Sequence, residues 1–341
     1  MPLSDAANVS LLLIVGGDEA DRLVQLDGKI VASGSTDLWR LAEPEPHHRL
    51  HVTRNFFRQS RQPELDGYKA LFNMVTEPER NTRTLENMRK LLRSVPGKVV
   101  NRPDAVLRST REQVARKLQG IPGLIVPPTA RIAPGKVGVA ANILANAGLQ
   151  PPIILRQAGT HSGKIVGLFD TIEAIIGALD PAKDHLATQF VDFRSTDGLY
   201  RKYRVFFLGE QLILRHMLIS DDWNVHAKDR TRFMADRLEL VAEERALFET
   251  GEPFPAEVRE ILMAVNARMP LDFFGMDFGI TADGKVVLFE ANATMSFFPF
   301  APDPQFEYLR LVIEPAQRAF RELLGLPPFQ PGQVRFRLES G

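Results

Sequence analysis

The stretch 285–297 reads KVVLFEANATMSF. Four apolar residues lead into a carboxylate, Glu290, and two positions later into an amide, Asn292. Residues two apart on a strand face the same side, so Glu290 and Asn292 point together, with Leu288 continuing that face inward. Upstream, GMDFG carries Asp277, and the intervening TADG holds Asp283-Gly284, a tight-turn pair suited to a hairpin. A hairpin closed there lays Asp277 across from the Glu290–Asn292 pair. Two carboxylates and an amide on one side of a ribbon are hard oxygen donors. Mg²⁺ takes such donors, usually one or two carboxylates supplemented by water and phosphate oxygens. The same pattern also ends solvent-facing strands, and spacing alone leaves both readings open.

Cations follow a similar logic. Arg204 in KYRVFF and Arg215 in LILRHM each interrupt an apolar strand, where an unpaired charge is costly if buried. They either neutralise a phosphate or a developing oxyanion, or pair within the sheet. Arg156 ends the apolar strand PPIILR, next to the loop QAGTHSG. That loop contains GTHSGK, which looks like a Walker A loop and fails the pattern. Only three residues separate Gly159 from Gly163, and Ile165 replaces the required Ser or Thr. Gly159, Thr160, Ser162 and Gly163 can still present backbone amides to phosphate as a flap, or form a plain hairpin turn. His47, His48 and His51 suggest a metal cluster by composition, but adjacent strand residues face opposite ways, so an exposed segment is expected. Arg54, Arg58 and Arg61 read as a solvated basic stretch. No Ser-His-Asp arrangement can be assembled.

These groups must be positioned by a chain of 341 residues, long enough for two or three domains. Lys plus Arg equals Asp plus Glu, 42 each, so no bulk basicity points to nucleic acid or a membrane surface. With no cysteine, disulfides, thiolate metal sites and a cysteine nucleophile are excluded. The N-terminus has an acid where a signal peptide carries positive charge, and no stretch approaches the ~20 apolar residues of a membrane span; a cytoplasmic protein is expected. Strand-like and helix-like segments alternate, which argues α/β or α+β. SLLLIVGG reads as a first strand, residues 47–57 and 98–101 as further strands, and 82–95 as an amphipathic helix. Ser109 followed by Glu112 has the capping-box spacing and predicts a helix start. A helix over 139–148 stops at its glycine. Residues 186–193, 199–209 and 211–219 read as antiparallel strands. Helices are expected around 232–249 and 255–269, with a closing amphipathic helix over 306–325.

From about residue 99 to 297 the chain resembles the ATP-grasp superfamily, in the branch of glutathione synthetase and the ribosomal-protein glutamate ligases. The resemblance is carried by VVNRPDAVLRSTREQVARKL…GLIVPPTARI as entry to a central domain, PPIILRQAGTHSGKIVGL as strand, mobile glycine loop and strand, TQFVDF as hinge, YRKYRVFFLGEQLILRHM as cationic sheet, and GMDFG…VVLFEANAT as metal-binding hairpin. It implies an ATP-grasp fold: an N-terminal α/β pre-ATP-grasp domain over 1–103, then two α+β subdomains clasping ATP, over 104–187 with the glycine flap and 188–328 with the metal site, and a tail over 329–341. By the resemblance, Asp277, Glu290 and Asn292 are ligands of Mg²⁺ or Mn²⁺. Arg156 stands where the family usually has a lysine on the α/β phosphates; its planar fork binds phosphate differently. Gln189, Phe190 and Val191 would lie against adenine, Asp192 and Asp197 near ribose, and Asn224, His226 and Lys228 in a segment contacting phosphate or substrate, with Arg204, Arg215 and Arg156 catalytic. The implied reaction is ATP-dependent ligation of a carboxylate to an amine through an acylphosphate, releasing ADP and phosphate. The implied partners are small-molecule or peptide carboxylates and amines. A phosphotransferase with a hydroxyl acceptor, or a nucleotide-binding module without turnover, are the alternatives. Phe297, Phe298 and Phe300 are expected to be exposed, as a homo-oligomer contact or a substrate wall.

Overall fold

β1 (Leu11–Gly17) is buried along nearly its whole length, as expected of a strand covered on both faces. The computed structural model describes residues 9–19, 23–26, 29–32, 34–42, 45–59, 63–158 and 165–328. After β1 come a small hairpin of β2 (Leu23–Leu26) and β3 (Lys29–Ala32), then β4 (His47–Thr53), β5 (Ala70–Asn73) and β6 (Lys98–Val100). The order β4-β1-β5-β6 is parallel throughout. Neither the β2–β3 hairpin nor β5's place beside β1 follows from local sequence pattern.

β7 (Leu124–Ile125) is followed by β8 (Thr129–Ile132), β9 (Ile153–Gln157), β10 (Ile165–Phe169) and β11 (His185–Gln189). The last four form an antiparallel sheet in the order β10-β9-β11-β8 with an apolar cluster of its own around Leu144, Ile153, Leu155 and Ile175. β7 leaves this segment and pairs in parallel with a strand of the last sheet. The helix Arg111–Leu118 likewise packs on that sheet, so residues 111–125 sit with the C-terminal elements in space, while Pro103–Leu107 packs on the helix Thr82–Leu91. The helix start lies one residue later than expected: Thr110, not Ser109, is the cap. Its hydroxyl accepts from the Gln113 N–H at 3.4 Å, and the Gln113 side chain accepts from the Thr110 N–H at 3.2 Å. Ser109 instead donates to the Val106 carbonyl, closing the preceding turn.

The last sheet is built from β12 (Tyr200–Leu208), β13 (Gln211–Ser220), β14 (Phe273–Ile280) and β15 (Val286–Asn292), in the order β13-β12-β14-β15-β7. The second half of β12, Val205–Leu208, is fully buried, while its first half carries Arg201, Lys202 and Arg204. Helices Leu238–Glu249 and Ala256–Arg268 lie between β13 and β14 in the chain. The expected closing helix is two: a 3₁₀ stretch Pro304–Val312 and an α-helix Ile313–Leu324. Pro315 explains the break, since it has no N–H for the Leu311 carbonyl and is tolerated only in a first helical turn. Gly325 ends the helix at φ +66°, a left-handed position. Among the described residues no helix is long and apolar enough to cross a membrane.

The N-terminal sheet and the last sheet share one core. Phe72 of β5 packs against Phe273 of β14 and Phe320 of the closing helix, with ring centroids 5.4 and 5.0 Å apart. Asn101, at φ +50°, locks the same junction. Its side chain accepts from the Asp272 and Phe273 N–H groups at 2.7 and 3.1 Å and donates to the Phe273 carbonyl at 3.0 Å. Its own N–H reaches Asp272 Oδ2 at 2.6 Å. Four bonds therefore fix where β14 begins. Asn101→Ala removes three of them and places alanine in a left-handed backbone. A loss of about 2–4 kcal/mol is expected in denaturant unfolding; a midpoint equal to the parent's would show that the junction does not depend on this residue.

Candidate functional site

Arg204, Asp277 and Glu290 lie in one row across three strands. Arg204 is the register partner of Asp277, and Asp277 that of Glu290. Gly275 faces Asn292 one step along. Asp277 and Glu290 thus share a face of the hairpin, as the sequence predicts. The alternation beyond them is different: a bulge inserts Phe289, so Leu288 pairs with Phe278 and does not continue the Glu290 face. A second bulge, between Arg204 and Val205, places His216 opposite Arg204 and leaves Arg215 unpaired in the ladder.

Asp277 is 5% exposed. Arg204 holds it with two bonds, Nε to Oδ1 at 2.7 Å and Nη2 to Oδ2 at 2.9 Å, and the Lys202 ammonium stands 3.4 Å from Oδ2. Burial works to raise its pKa; Arg204 and Lys202 outweigh burial and hold it at about 2. Glu290 is half-buried and pairs with Arg111 at 2.7 Å. Arg111 also donates to the Phe289 carbonyl at 3.0 Å, gripping the bulge itself. Asn292 uses its Oδ1 to accept the Thr294 N–H at 2.9 Å. Each of the two carboxylates therefore has a cation against it. The donor set, two in-register carboxylates and an amide on the adjoining strand, fits a hard divalent cation. Among the described residues no group of three or more His, Asp or Glu side chains is placed to bind a metal, so any ion here needs amide, water or ligand oxygens as well.

Two adjoining cavities, of about 420 and 630 Å³, meet at this row and share Arg111, Arg156, Arg204 and Glu290. Arg156 ends the apolar run of β9, and its guanidinium has no hydrogen bond or ion pair among the described residues; its Nε is buried without a partner. Burial, reinforced by Arg111 and opposed by Glu290 and Asp277, brings its pKa down to about 10, so the group stays cationic at neutral pH.

The larger cavity continues from Arg156 to Gln189, Phe190 and Val191, and to Trp223, Asn224 and His226. Gln189 spends its side chain on the Gln150 N–H and the Pro152 carbonyl, at 2.8 and 3.2 Å. The Phe190 ring meets Trp223 edge-on at 5.7 Å. Burial, then Lys202 and Lys228, push the His226 pKa down. Asp192 and Asp197 line neither cavity: Asp192 is held by Arg194 and Asp197 by Arg201. Arg215 lines neither cavity as well. It is 6% exposed, donates to the Phe297 and Pro299 carbonyls at 2.5 and 2.8 Å, and lies 4.0 Å from the Phe300 ring centroid. Phe297 and Phe298 are buried at 0% and 7% exposure, with Phe300 packed against them; the expectation of an exposed aromatic patch is corrected by this packing. The glycine loop residues Gly159, Thr160, Ser162 and Gly163, together with Arg61 and the tail, lie outside the described residues.

Two cations of the row were not among the expected site residues. Lys202 was legible: it sits two positions before Arg204 on the same strand and so shares its face. Arg111 had no local signal, because its partner Glu290 lies 179 positions away and the helix start alone does not aim it.

No protein-family model and no curated protein sequence matches the chain. Solved structures do. The D-Ala:D-Ser ligase VanG from Enterococcus faecalis superposes with a TM-score of 0.52 at 11% identity, covering 94% of this chain and 99% of that one. The ATP-grasp ligase PsnB, solved with the precursor peptide PsnA2 and AMPPNP, gives 0.52 at 15% identity, covering 93% and 98%. A RiPP-associated ATP-grasp ligase from Chryseobacterium gregarium, solved with ADP and a leader and core peptide, gives 0.50 at 11% identity, covering 94% and 98%. The likeness spans nearly the whole of each chain, and it is a likeness of fold.

The Asp277 pKa sets a pH dependence. A carboxylate whose folded pKa lies below its unfolded one contributes stability above the unfolded value, near 4, and loses it as pH falls toward about 2. Unfolding free energy should decline by about 2 kcal/mol over this window. Asp277→Asn should lack that decline; equal acid sensitivity in both proteins would place the titration elsewhere.

Proposed function

From the premise that this chain has the ATP-grasp fold, we propose that it is an ATP-dependent carboxylate–amine ligase. The observation that carries the reading is Arg156. A cation that is mostly buried and left without a hydrogen bond or ion pair among the described residues is costly, and it stands in a cavity facing two carboxylates already neutralised by other cations. In this reading the group that satisfies it is an anion brought by ligand, and a nucleotide phosphate fits both the charge and the guanidinium fork.

In this reading the larger cavity takes the nucleotide, with the base near Gln189–Val191 and Trp223 and the phosphates toward Arg156, Lys202 and Arg204. Asp277, Glu290 and Asn292 would hold Mg²⁺, which supplies charge neutralisation for the phosphate oxygens when bound. The donor carboxylate attacks the γ-phosphorus, the bond to the bridging oxygen breaks, and ADP leaves. An amine then attacks the acyl carbon, and collapse of the tetrahedral intermediate expels phosphate and leaves an amide. Arg204 and Arg156 offset charge on the transferred oxygens, while Arg111 fixes Glu290 against the helix start. Catalysis here is positioning and preorganised charge. Arg215 serves the site indirectly, by fixing the segment that leaves β15.

Incubation with Mg·ATP and a pool of amino acids and short peptides should yield ADP and a product with the mass of acid plus amine less water. A phosphorylated product would instead indicate a phosphotransferase, and nucleotide binding without turnover a non-catalytic module. Arg156→Met offers a second check. Melting without ligand should be unchanged or higher, because no hydrogen bond or ion pair among the described residues is lost, whereas Mg·ADP affinity by calorimetry should fall about tenfold or more. Unchanged affinity would remove Arg156 from the nucleotide site.

A further inference from the structure

Arg131 and Arg156 stand in one row of the central sheet. Arg131 of β8 is the register partner of Leu186 on β11, and Leu186 that of Arg156 on β9. Register partners share a face, so the two arginines lie on the same side, about 10 Å apart at the backbone across two strand spacings. That side is the cavity side. Thr129, Arg131, Arg156, Leu186 and Thr188 line the smaller cavity, while Ala130, Ile132, Ile153, Leu155 and Ala187 turn to the sheet's own apolar cluster.

The two guanidiniums are held in opposite ways. Arg156 has no hydrogen bond or ion pair among the described residues. Arg131 pairs with three carboxylates: Nη2 with Glu79 at 2.5 Å, Nε with Glu112 at 2.6 Å and Nη1 with Asp184 at 2.9 Å. Burial works to lower the Arg131 pKa, and Glu112, Glu79 and Asp184 outweigh burial and raise it. The three carboxylates come from different parts of the chain. Glu79 follows β5 of the N-terminal sheet. Glu112 sits in the first turn of the helix Arg111–Leu118. Asp184 precedes β11, and its carbonyl accepts the N–H of Ala158, the residue before the glycine loop, at 2.9 Å.

The apolar cluster of the central sheet draws only on residues 130–187 among the described residues and includes none from the other sheets. Charge pairs therefore carry part of the sheet's seating on its neighbours. Arg131 reaches out of the sheet twice, to Glu79 and to Glu112. The neighbour of Glu112 is Arg111, which pairs with Glu290 at 2.7 Å. Two consecutive residues of one helical turn thus tie the central sheet and the Asp277–Glu290 row to the same short segment. Ion pairs this exposed add little to stability. Their effect is geometric: they fix where the Arg131–Arg156 row stands relative to the carboxylate row.

We infer that Arg131 is a positioning residue for nucleotide binding, seating the central sheet through Glu79 and Glu112 so that Arg156 is aimed at the phosphates. The inference rests on the nucleotide role proposed above for Arg156. Arg131 acts through that residue, since it lines the smaller cavity and not the larger one that takes the nucleotide.

A double-mutant cycle separates this role from a merely structural one. Mg·ADP affinity is measured by calorimetry for the wild type, Arg131→Gln, Arg156→Met and the double variant. Arg131→Gln should weaken binding about fivefold in the wild-type background and less than about twofold beside Arg156→Met, because the group it places is then gone. Glu79→Gln removes one tie and leaves Arg131 its other two partners. It should show the same pattern with a smaller loss, and it carries the test if Arg131→Gln shows no melting transition. Equal losses in both backgrounds, or no loss in the wild-type background, overturn the assignment and leave nucleotide binding standing. Unchanged affinity in Arg156→Met overturns it as well, since Arg131 then has nothing to place. Absence of Mg·ADP binding to the wild type overturns the nucleotide reading and this assignment together.

Discussion

The bidentate pair between Arg204 and Asp277 organises the rest of the site. Both groups are largely buried, and a buried ion pair is poor evidence of stability: the cost of removing two charges from water often equals the attraction regained. Its value lies in what it prepares. Four register partners, His216, Arg204, Asp277 and Glu290, run across four strands, so the row of charges is fixed by the backbone ladder and not by flexible side chains. Burial and the neighbouring cations Arg204, Arg215, Arg230 and Lys202 push the His216 pKa well down and keep it uncharged. The row is therefore neutral histidine, cation, anion, anion, with Lys202 and Arg111 closing the balance.

What holds this ladder in place comes from both ends of the chain. The Asp37 carboxylate accepts the Phe297 and Phe298 N–H groups at 2.9 and 2.8 Å, and Arg215 takes the Phe297 and Pro299 carbonyls from the other side. The segment leaving β15 is thus clamped between an anion and a cation that both bond its backbone, the cation also lying over the Phe300 ring. Burial drives Asp37 up to about 6 and Arg215 down to about 9, which is the cost of using charges as backbone clamps. The clamp explains why the N-terminal part of the chain is inseparable from the site: Asp37, Thr76 and Asn101 all belong to it, and each binds backbone or side chains within a few residues of Asp277 or Asn292.

The hairpin at the heart of the site was legible because everything it needs is local. Asp283-Gly284 fixes the turn, and a two-residue period places Glu290 with Asn292. The bulge at Phe289 was not legible, since a bulge changes which residue faces which without changing composition. Arg215 shows the limit of the argument from charge. An arginine in an apolar strand must be satisfied, but sequence does not say by what, and backbone carbonyls 82 and 84 positions away satisfy it as well as a phosphate would. The three phenylalanines near residue 300 failed for the complementary reason. Their partners, Phe206 and Arg215, lie on β12 and β13, and no local pattern marks them as buried.

Arg156 is where the two lines of reasoning meet. Arg204, Arg111, Arg131, Arg201 and Arg230 each have a carboxylate within 2.7 Å, and Arg215 has carbonyls. Charge pairing at these positions is close, so the Arg156 guanidinium, with no hydrogen bond or ion pair among the described residues, is a departure from it. Packing gives no reason to leave it so, because methionine or leucine would fill β9 without the desolvation cost. A cation that costs desolvation and stands where two cavities meet is accounted for by an anion that enters them, as proposed above. Asp277 and Glu290 nearby are already paired with Arg204, Lys202 and Arg111, so they leave the Arg156 charge open to an entering anion.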